Sequence, residues 1–439
     1  MAYLYRTASF GSSNDSSCVL SLWFKKSVND IVQGLFLGWN NSSNYSTCYV
    51  NSDDTIYYKE KQSNTQYETR ITSGVRKFRD LNSWYHLVFQ WDYTQASASN
   101  RIKVWINGEL QTWENTGNLP PQNNSLRLKS SDFRIGDYTH AGSSYSNWKG
   151  LMSHVHFIDD ATYDTYQAST FGETDSTTGE WKIKIDPGIA TNNYGSQGFF
   201  VLKDGNSGTD QSGKGNNLSI SGTITKTEDC PSNVFCTINP LTQEHTNNSI
   251  GYSAGNTNIF FDQTGQWWST YSTLGAITGK YYAECKIDAV GGEASIGVIP
   301  ADVACKNQGT GDYLGKETDS IGYLNNGRLF KSDNTLQTGL ASMSSGTIVG
   351  ISLDLDNNTV QFYNNDSAVG NAISLNADTI YLFGCSGYSD TRFYWNFGNG
   401  YFNTTAISSA GTNASGNGIF EYDVKPSSAT ALSTKGLNE

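Results

Sequence analysis

Two acids held at a fixed separation are the smallest machinery that cleaves a glycosidic bond. Retaining hydrolysis needs carboxyl groups about 5–5.5 Å apart, which a strand supplies with acids at i and i+2 or i+4. The nearest match is Glu173-Thr-Asp175-Ser-Thr-Thr178, where Thr178 stands in place of a third acid and no apolar alternation flanks the run. Asp354 and Asp356 are also two apart, but Asp356 opens an Asp-Asn-Asn stretch that reads as a hairpin turn. The sequence holds no His-Glu-x-x-His run, no nucleophile elbow and no phosphate-cradling glycine loop. No catalytic residue is assigned, and the expectation is a protein that is not an enzyme.

Binding chemistry has more candidates. Asp204, Asn206 and Asp210 place oxygen ligands along a Gly-rich loop, and calcium takes six to eight hard oxygens. The later bidentate Glu of a calcium hand is missing, so Asx turns are the competing reading and no cofactor is assigned. His154 and His156 lie two apart on a strand, without a third metal ligand in view. Carbohydrate binding uses aromatic faces and amides on edge loops. Tyr138, Tyr145 and Trp148 occupy such a loop between two expected strands, and Trp267, Trp268 and Tyr271 form a second cluster. Packing in a core would use the same residue types. The seven cysteines are scattered, so free buried thiols are expected, with a Cys230–Cys236 bridge as the alternative.

These residues need elements to position them. The strongest pattern runs from Trp84 to Trp113. Tyr85, Leu87, Phe89, Trp91 and Tyr93 alternate with His86, Gln90 and Asp92, the period of a half-buried strand. Ile102, Val104 and Ile106 continue it, and Asn107-Gly108 supplies the two positive-φ residues of a tight hairpin. Similar short runs recur along the chain. One helix candidate, Ala161–Ala168, interrupts them. With 439 residues, only 16% of them charged, and abundant Gly, Ser, Asn and Thr, the chain reads as all-β with antiparallel sandwiches. Two prolines between Cys230 and Pro240 mark a boundary. The expected layout is a jelly roll over 1–228, a linker over 229–245, a second jelly roll over 246–404 and a Ser/Thr/Gly-rich tail over 405–439. A tail of that kind packs only where something receives it.

A net charge of −12 argues against nucleic acid. Without an eighteen-residue apolar run or a signal-peptide core, the expectation is a soluble, unprocessed chain with no membrane insertion.

Ser83-Trp-Tyr-His-Leu-Val-Phe89 with Arg101-Ile-Lys-Val-Trp-Ile-Asn-Gly-Glu109 resembles the central strand pair of concanavalin A-like (laminin-G-like) jelly rolls. The order of His154–Asp159, Phe171–Trp181, Gly195–Phe200, Gly205–Asn217 and Asp229–Pro240 is similar to a subgroup found in bacteriophage virion proteins. Gly279–Glu284, Gly322–Gly327, Gly350–Tyr363 and Asn396–Gly398 resemble a SPRY domain, also a concanavalin A-like sandwich. Ala431–Leu437 looks like the short end of such phage proteins, where a Cys usually stands in place of Ser433. The resemblance implies two tandem jelly rolls in a virion appendage: a tail fibre, a knob or a capsid-decorating protein. It implies partners among capsid or tail proteins, a host-surface glycan, a homo-oligomer, and synthesis in the host bacterial cytoplasm. A decoration protein without ligand is the alternative, and a glycoside hydrolase the weaker one.

Overall fold

The computed structural model of the chain describes residues 2–7, 16–72, 76–129, 132–140, 143–145, 147–159, 164–203, 207–242, 250–262, 265–304 and 312–438, with side chains for all but 139–140 and 143–145. Its contacts separate two compact units, Met1–Lys226 and Thr227–Glu439. Both are antiparallel sandwiches, so the chain is all-β as its alternating patterns require.

The first unit pairs a seven-stranded sheet with a six-stranded one. The strand Tyr85–Asp92 lies inside the six-stranded sheet, between Ser17–Lys26 and Ile102–Ile106. Leu87, Phe89, Trp91, Ile102, Val104 and Ile106 enter one core with Leu35, Phe36 and Tyr58 of the opposite sheet. Phe36 meets Phe89 edge-on at 5.5 Å, the geometry that ring quadrupoles favour. Asn107 and Gly108 have φ of 48° and 82°, so the hairpin turn is built as expected.

The other face of this sheet is buried as well. Val19, Val88, Trp105, Ile158 and Phe200 form a separate core with Ala168, Phe171 and Tyr194. The covering segment includes the hairpin Gly172–Thr174 with Trp181–Ile183. Trp181 fits there because Gly108 and Gly172 have no side chain; a Cβ on them would come within 2.5 and 2.6 Å of its ring.

Alternation breaks inside the strand that carries His154. Between Ser153 and His156 the strand Gly150–Asp159 shifts register against Ser17–Lys26, and His154 has φ of 48°. One inserted residue reverses the parity, so Met152, Val155 and Phe157 all face the core. The expected helix over 161–168 is shorter and later. Its first three residues lie outside the described ones, 164–167 form turn and bend, and helix runs only from Ala168 to Phe171.

The second unit packs an eight-stranded sheet on a six-stranded one. Ile287, Val349, Ile351 and Trp395 of one meet Ile296, Tyr323 and Phe383 of the other. Glycines flatten the outer face of the six-stranded sheet. Leu314 lies over it, its carbonyl so close to Gly322 that a Cβ there would overlap it. At one side the two sheets are tied together. Gln337, ending the strand Asn334–Gln337, accepts from Asn371 N at 3.1 Å and donates to Asn371 O at 3.4 Å, in the strand Ser367–Ser374.

Residues 229–245, read as a linker, contribute Cys236 and Ile238 to the main core and Phe235 to a smaller one. The 405–439 tail is received by this unit: Phe420, Val424, Ala429 and Ala431 pack with Tyr282 and Phe235. Glu284, fully buried, accepts from the backbone N–H of Glu421 and Tyr422, each at 2.8 Å. Cys18, Cys48, Cys230, Cys236, Cys285 and Cys385 are free thiols.

Gly108→Ala adds a methyl at positive φ against Trp181. A loss of more than about 1 kcal/mol of stability is expected, read from the urea midpoint of the tryptophan fluorescence change.

Candidate functional site

The residues singled out for chemistry go to different places. Trp148 turns towards the first core, edge-on to Phe24 at 5.4 Å, and its indole N–H donates to Leu151 O at 3.2 Å. Tyr138 is buried and lies 4.6 Å from Tyr49. Tyr145 pairs with Tyr138 across a short hairpin, and its side chain lies outside the described ones. The three therefore do not make one exposed aromatic face, because Trp148 is a packing residue.

Asp204 and Asn206 lie outside the described residues. Asp210 is saturated: Oδ1 accepts from Phe200 N at 2.9 Å and Ser212 N at 2.8 Å, and Oδ2 from Ser212 Oγ at 2.9 Å and Asn216 N at 2.8 Å. It organises its loop with four donors, as an Asx turn does, which disfavours the calcium reading. Glu173 and Asp175 both face Lys182, at 3.5 and 3.1 Å. The backbone N–H groups of Thr178 and Thr177, followed by Lys182, hold the Asp175 carboxyl down at about 2. Glu173 lies in a strand of the Trp181 hairpin, opposite Lys182, and Asp175 organises its turn. In the second aromatic cluster Trp267, Trp268 and Tyr271 are buried; Trp267 packs on Tyr313 at 4.6 Å.

The histidines whose side chains are described, His86, His154 and His156, are structural. Trp181 Nε1 can only donate, and it lies 3.0 Å from His86 Nδ1. That nitrogen must accept, so Nε2 carries the proton and donates to Ser21 Oγ at 2.9 Å. Burial pushes His86 down to about 3 and keeps it neutral. His156 stacks on Phe200 at 3.7 Å and bonds Tyr194 OH at 2.8 Å. His154 meets Ser153 Oγ at 2.7 Å.

A patch that the sequence reading passed over lies on the outward face of three neighbouring strands, Asn44–Val50, Ile56–Gln62 and Thr65–Arg70. The register puts Tyr49 beside Tyr57, Tyr57 beside Arg70, and Lys59 beside Glu68. Tyr57 is half-buried and stacks on Tyr49 at 5.5 Å with 15° between the rings. Glu68 accepts from Tyr49 OH at 2.6 Å and from Gln66 Nε2 at 2.8 Å. Arg70 grips Glu114 with two nitrogens, at 2.7 and 2.8 Å. Tyr49 is itself buried, so it is the half-buried Tyr57 ring, bordered by a carboxylate, an amide and a guanidinium, that can take the apolar face and the hydroxyls of a sugar. The available signal was Tyr45 and Tyr49 alternating with Ser46, Cys48 and Val50.

On the inward face of the same strand, Glu60 is fully buried. Tyr93 OH, Tyr58 OH and Ser46 Oγ donate to it at 2.6, 2.7 and 3.2 Å. Desolvation outweighs these donors and lifts its carboxyl to about 7. Its surroundings are core side chains, so it stores a proton out of reach of a surface ligand.

Residues 4–165 match the concanavalin A-like lectin/glucanases superfamily, and residues 280–399 match the SPRY domain. The chain thus carries two concanavalin A-like domains, laminin-G-like and then SPRY. No curated protein matches it. Among solved structures, the SPRY domain of human HERC1 is 16% identical, with 36% of this chain and 96% of that chain covered and a TM-score of 0.29. A second human SPRY domain is 15% identical, with 34% and 94% covered and a TM-score of 0.27. A heptameric SAP-like pentraxin from Limulus polyphemus is 16% identical, with 37% and 71% covered and a TM-score of 0.26.

Buried groups of the first unit act on its pH response with opposite signs, Glu60 one way and His86, with His156, the other. Glu60 has a raised folded pKa, so its contribution is complete below 4.5 and lost as pH rises through about 7. His86 has a depressed one, so its contribution is present above 6.5 and lost as pH falls towards about 3. Between 6.5 and about 7 Glu60 acts without the histidines, at less than the limiting ~1.4 kcal/mol per pH unit because its carboxyl is already partly ionised in the folded chain, and the slope fades above that. Glu60→Gln is expected to flatten that decline. Hydrogen exchange at the Ile56–Gln62 amides, corrected for intrinsic rates, reads the opening free energy.

Proposed function

We propose that this chain is a non-enzymatic bacteriophage virion protein, a tail fibre, knob or capsid-decorating appendage, that attaches to host-surface carbohydrate through its first unit. The observation that carries the attachment reading is the Tyr57–Tyr49 stack bordered by Glu68, Gln66 and Arg70. Tyrosines lose little rotamer entropy on binding and offer an apolar ring to a sugar face, while charge-assisted donors and acceptors fix orientation. The virion setting is supported by the order of motifs from His154 to Pro240 and by the Ala431–Leu437 ending, both similar to phage virion proteins. The non-enzymatic reading is supported by the carboxylates of Glu173, Asp175 and Asp210 being committed to Lys182 and to loop donors.

A glycan array with the full chain tests the attachment. Binding is expected, and Tyr57→Ala should weaken it about tenfold, in line with one lost ring contact of roughly 0.5–1.5 kcal/mol. A blank array, with the protein still binding particles that lack it, would favour decoration without a ligand. Electron microscopy of purified virions with antibody to residues 1–230 tests the setting; virions without label would remove it.

A further inference from the structure

The second unit contains a strand slot that the chain fills with its own end. The strand Lys280–Ala289 pairs with Thr391–Asn396 only from Glu284 onwards, where Glu284 faces Asn396. Before that point Tyr281 and Tyr282 pair in parallel with Thr430 and Ala431. On the other side of the inserted segment, Ser433 bridges Phe235, Cys236 N donates to Leu432 O at 2.9 Å, and Thr434 N donates to Val234 O at 2.9 Å. Thr430 and Ala431 are therefore paired on one edge and Leu432 to Thr434 on the other.

The slot is shaped for this sequence. Gly398 and Gly418 lie against Ala431; a Cβ on them would come within 2.9 and 3.1 Å of the Ala431 Cβ. Leu432 is fully buried in the main core. Asn417 Nδ2 lies 2.9 Å from Thr430 Oγ1, 3.4 Å from Ala431 O and 3.1 Å from Ser433 Oγ. The approach differs in character: Pro426, Ser427 and Ser428 are exposed. A short strand behind the exposed residues Pro426–Ser428 can leave its slot without breaking any of the other strand pairs described. The vacated slot would present unpaired backbone groups on Tyr281, Tyr282 and Val234, which must be paired again.

We infer that this slot is an assembly site, and that its partner is the Thr430–Thr434 strand of a second copy of this chain. A second copy offers the same register, the same Ala431 and the same Leu432, so every contact described above is reproduced between chains. Exchange then depends on hinge length and on local concentration, both of which favour it where many copies are displayed together. It uses the second unit alone, so it stands or falls independently of sugar binding by the first.

The test places cysteines at Val234 and Thr434, which neighbour the Phe235–Ser433 bridge on facing strands, where the Cα spacing suits a disulfide. Full-length Val234→Cys/Thr434→Cys chains, in a Cys230→Ser background, are unfolded, refolded at a series of concentrations and oxidised. Disulfide-linked dimers and larger species, containing both of two differently tagged copies, are expected to increase with concentration above the level given by Thr434→Cys alone. Linkage confined to single chains at every concentration would overturn the proposal. Removing Ser427 and Ser428 should shift the otherwise unmodified chain from monomer to dimer or larger by light scattering; a folded monomer with the shortened hinge would count equally against it.

Discussion

Several sheet faces that point away from the two sandwich cores are covered by further lengths of chain, and much of what is unusual in the sequence serves that covering. The six-stranded sheet of the first unit puts Phe89 and Trp91 into the sandwich and Val88 and Trp105 into a second core behind it. In the second unit Leu314 lies on one outer face, and the tail residues Phe420 and Ala431 on another. Burial of each large apolar side chain contributes roughly 1.5–3 kcal/mol, so the covering segments belong to the fold as much as the strands do.

Covering a second face also encloses polar groups. His86 keeps both ring nitrogens bonded, to Trp181 and Ser21. Lys26 pairs with Asp54 at 2.6 Å with both side chains fully buried, and Asp54 also accepts from Arg79 at 3.0 Å. Such pairs are weak evidence for stability, yet losing one partner strands a buried charge. They fix which segment covers which strand.

The sandwich architecture was legible because a half-buried strand repeats every two residues, and the Tyr85–Tyr93 run with its Asn107-Gly108 turn shows that period without interruption. The covering segments were not. Phe235, Ile238 and Leu432 lie in apolar runs of one to three residues within polar stretches, too short to show a period, and only tertiary contacts give them a role. The bulge at His154 was hidden for a related reason, since one inserted residue leaves composition unchanged while reversing which side chains face inward. The candidate sugar site was half legible. Aromatic content pointed to tyrosines and tryptophans, but exposure decides which of them can meet a ligand, and exposure depends on the partner sheet. Trp148 and Tyr57 are both half-buried; what separates them is that Trp148 packs its ring on Phe24 of the core, whereas Tyr57 lies on the outward face of its strand.

The Gln337 amide that bonds both backbone groups of Asn371 joins an edge of one sheet to an edge of the other. Open strand edges are templates for unwanted polymerisation, and most sandwiches guard them with charge or proline. Here a side chain imitates a neighbouring strand and seals part of the rim, with Gly370 leaving room for it. Along that rim the domain behaves more like a barrel than an open sandwich, so crowded copies have one less route to sticking edge to edge.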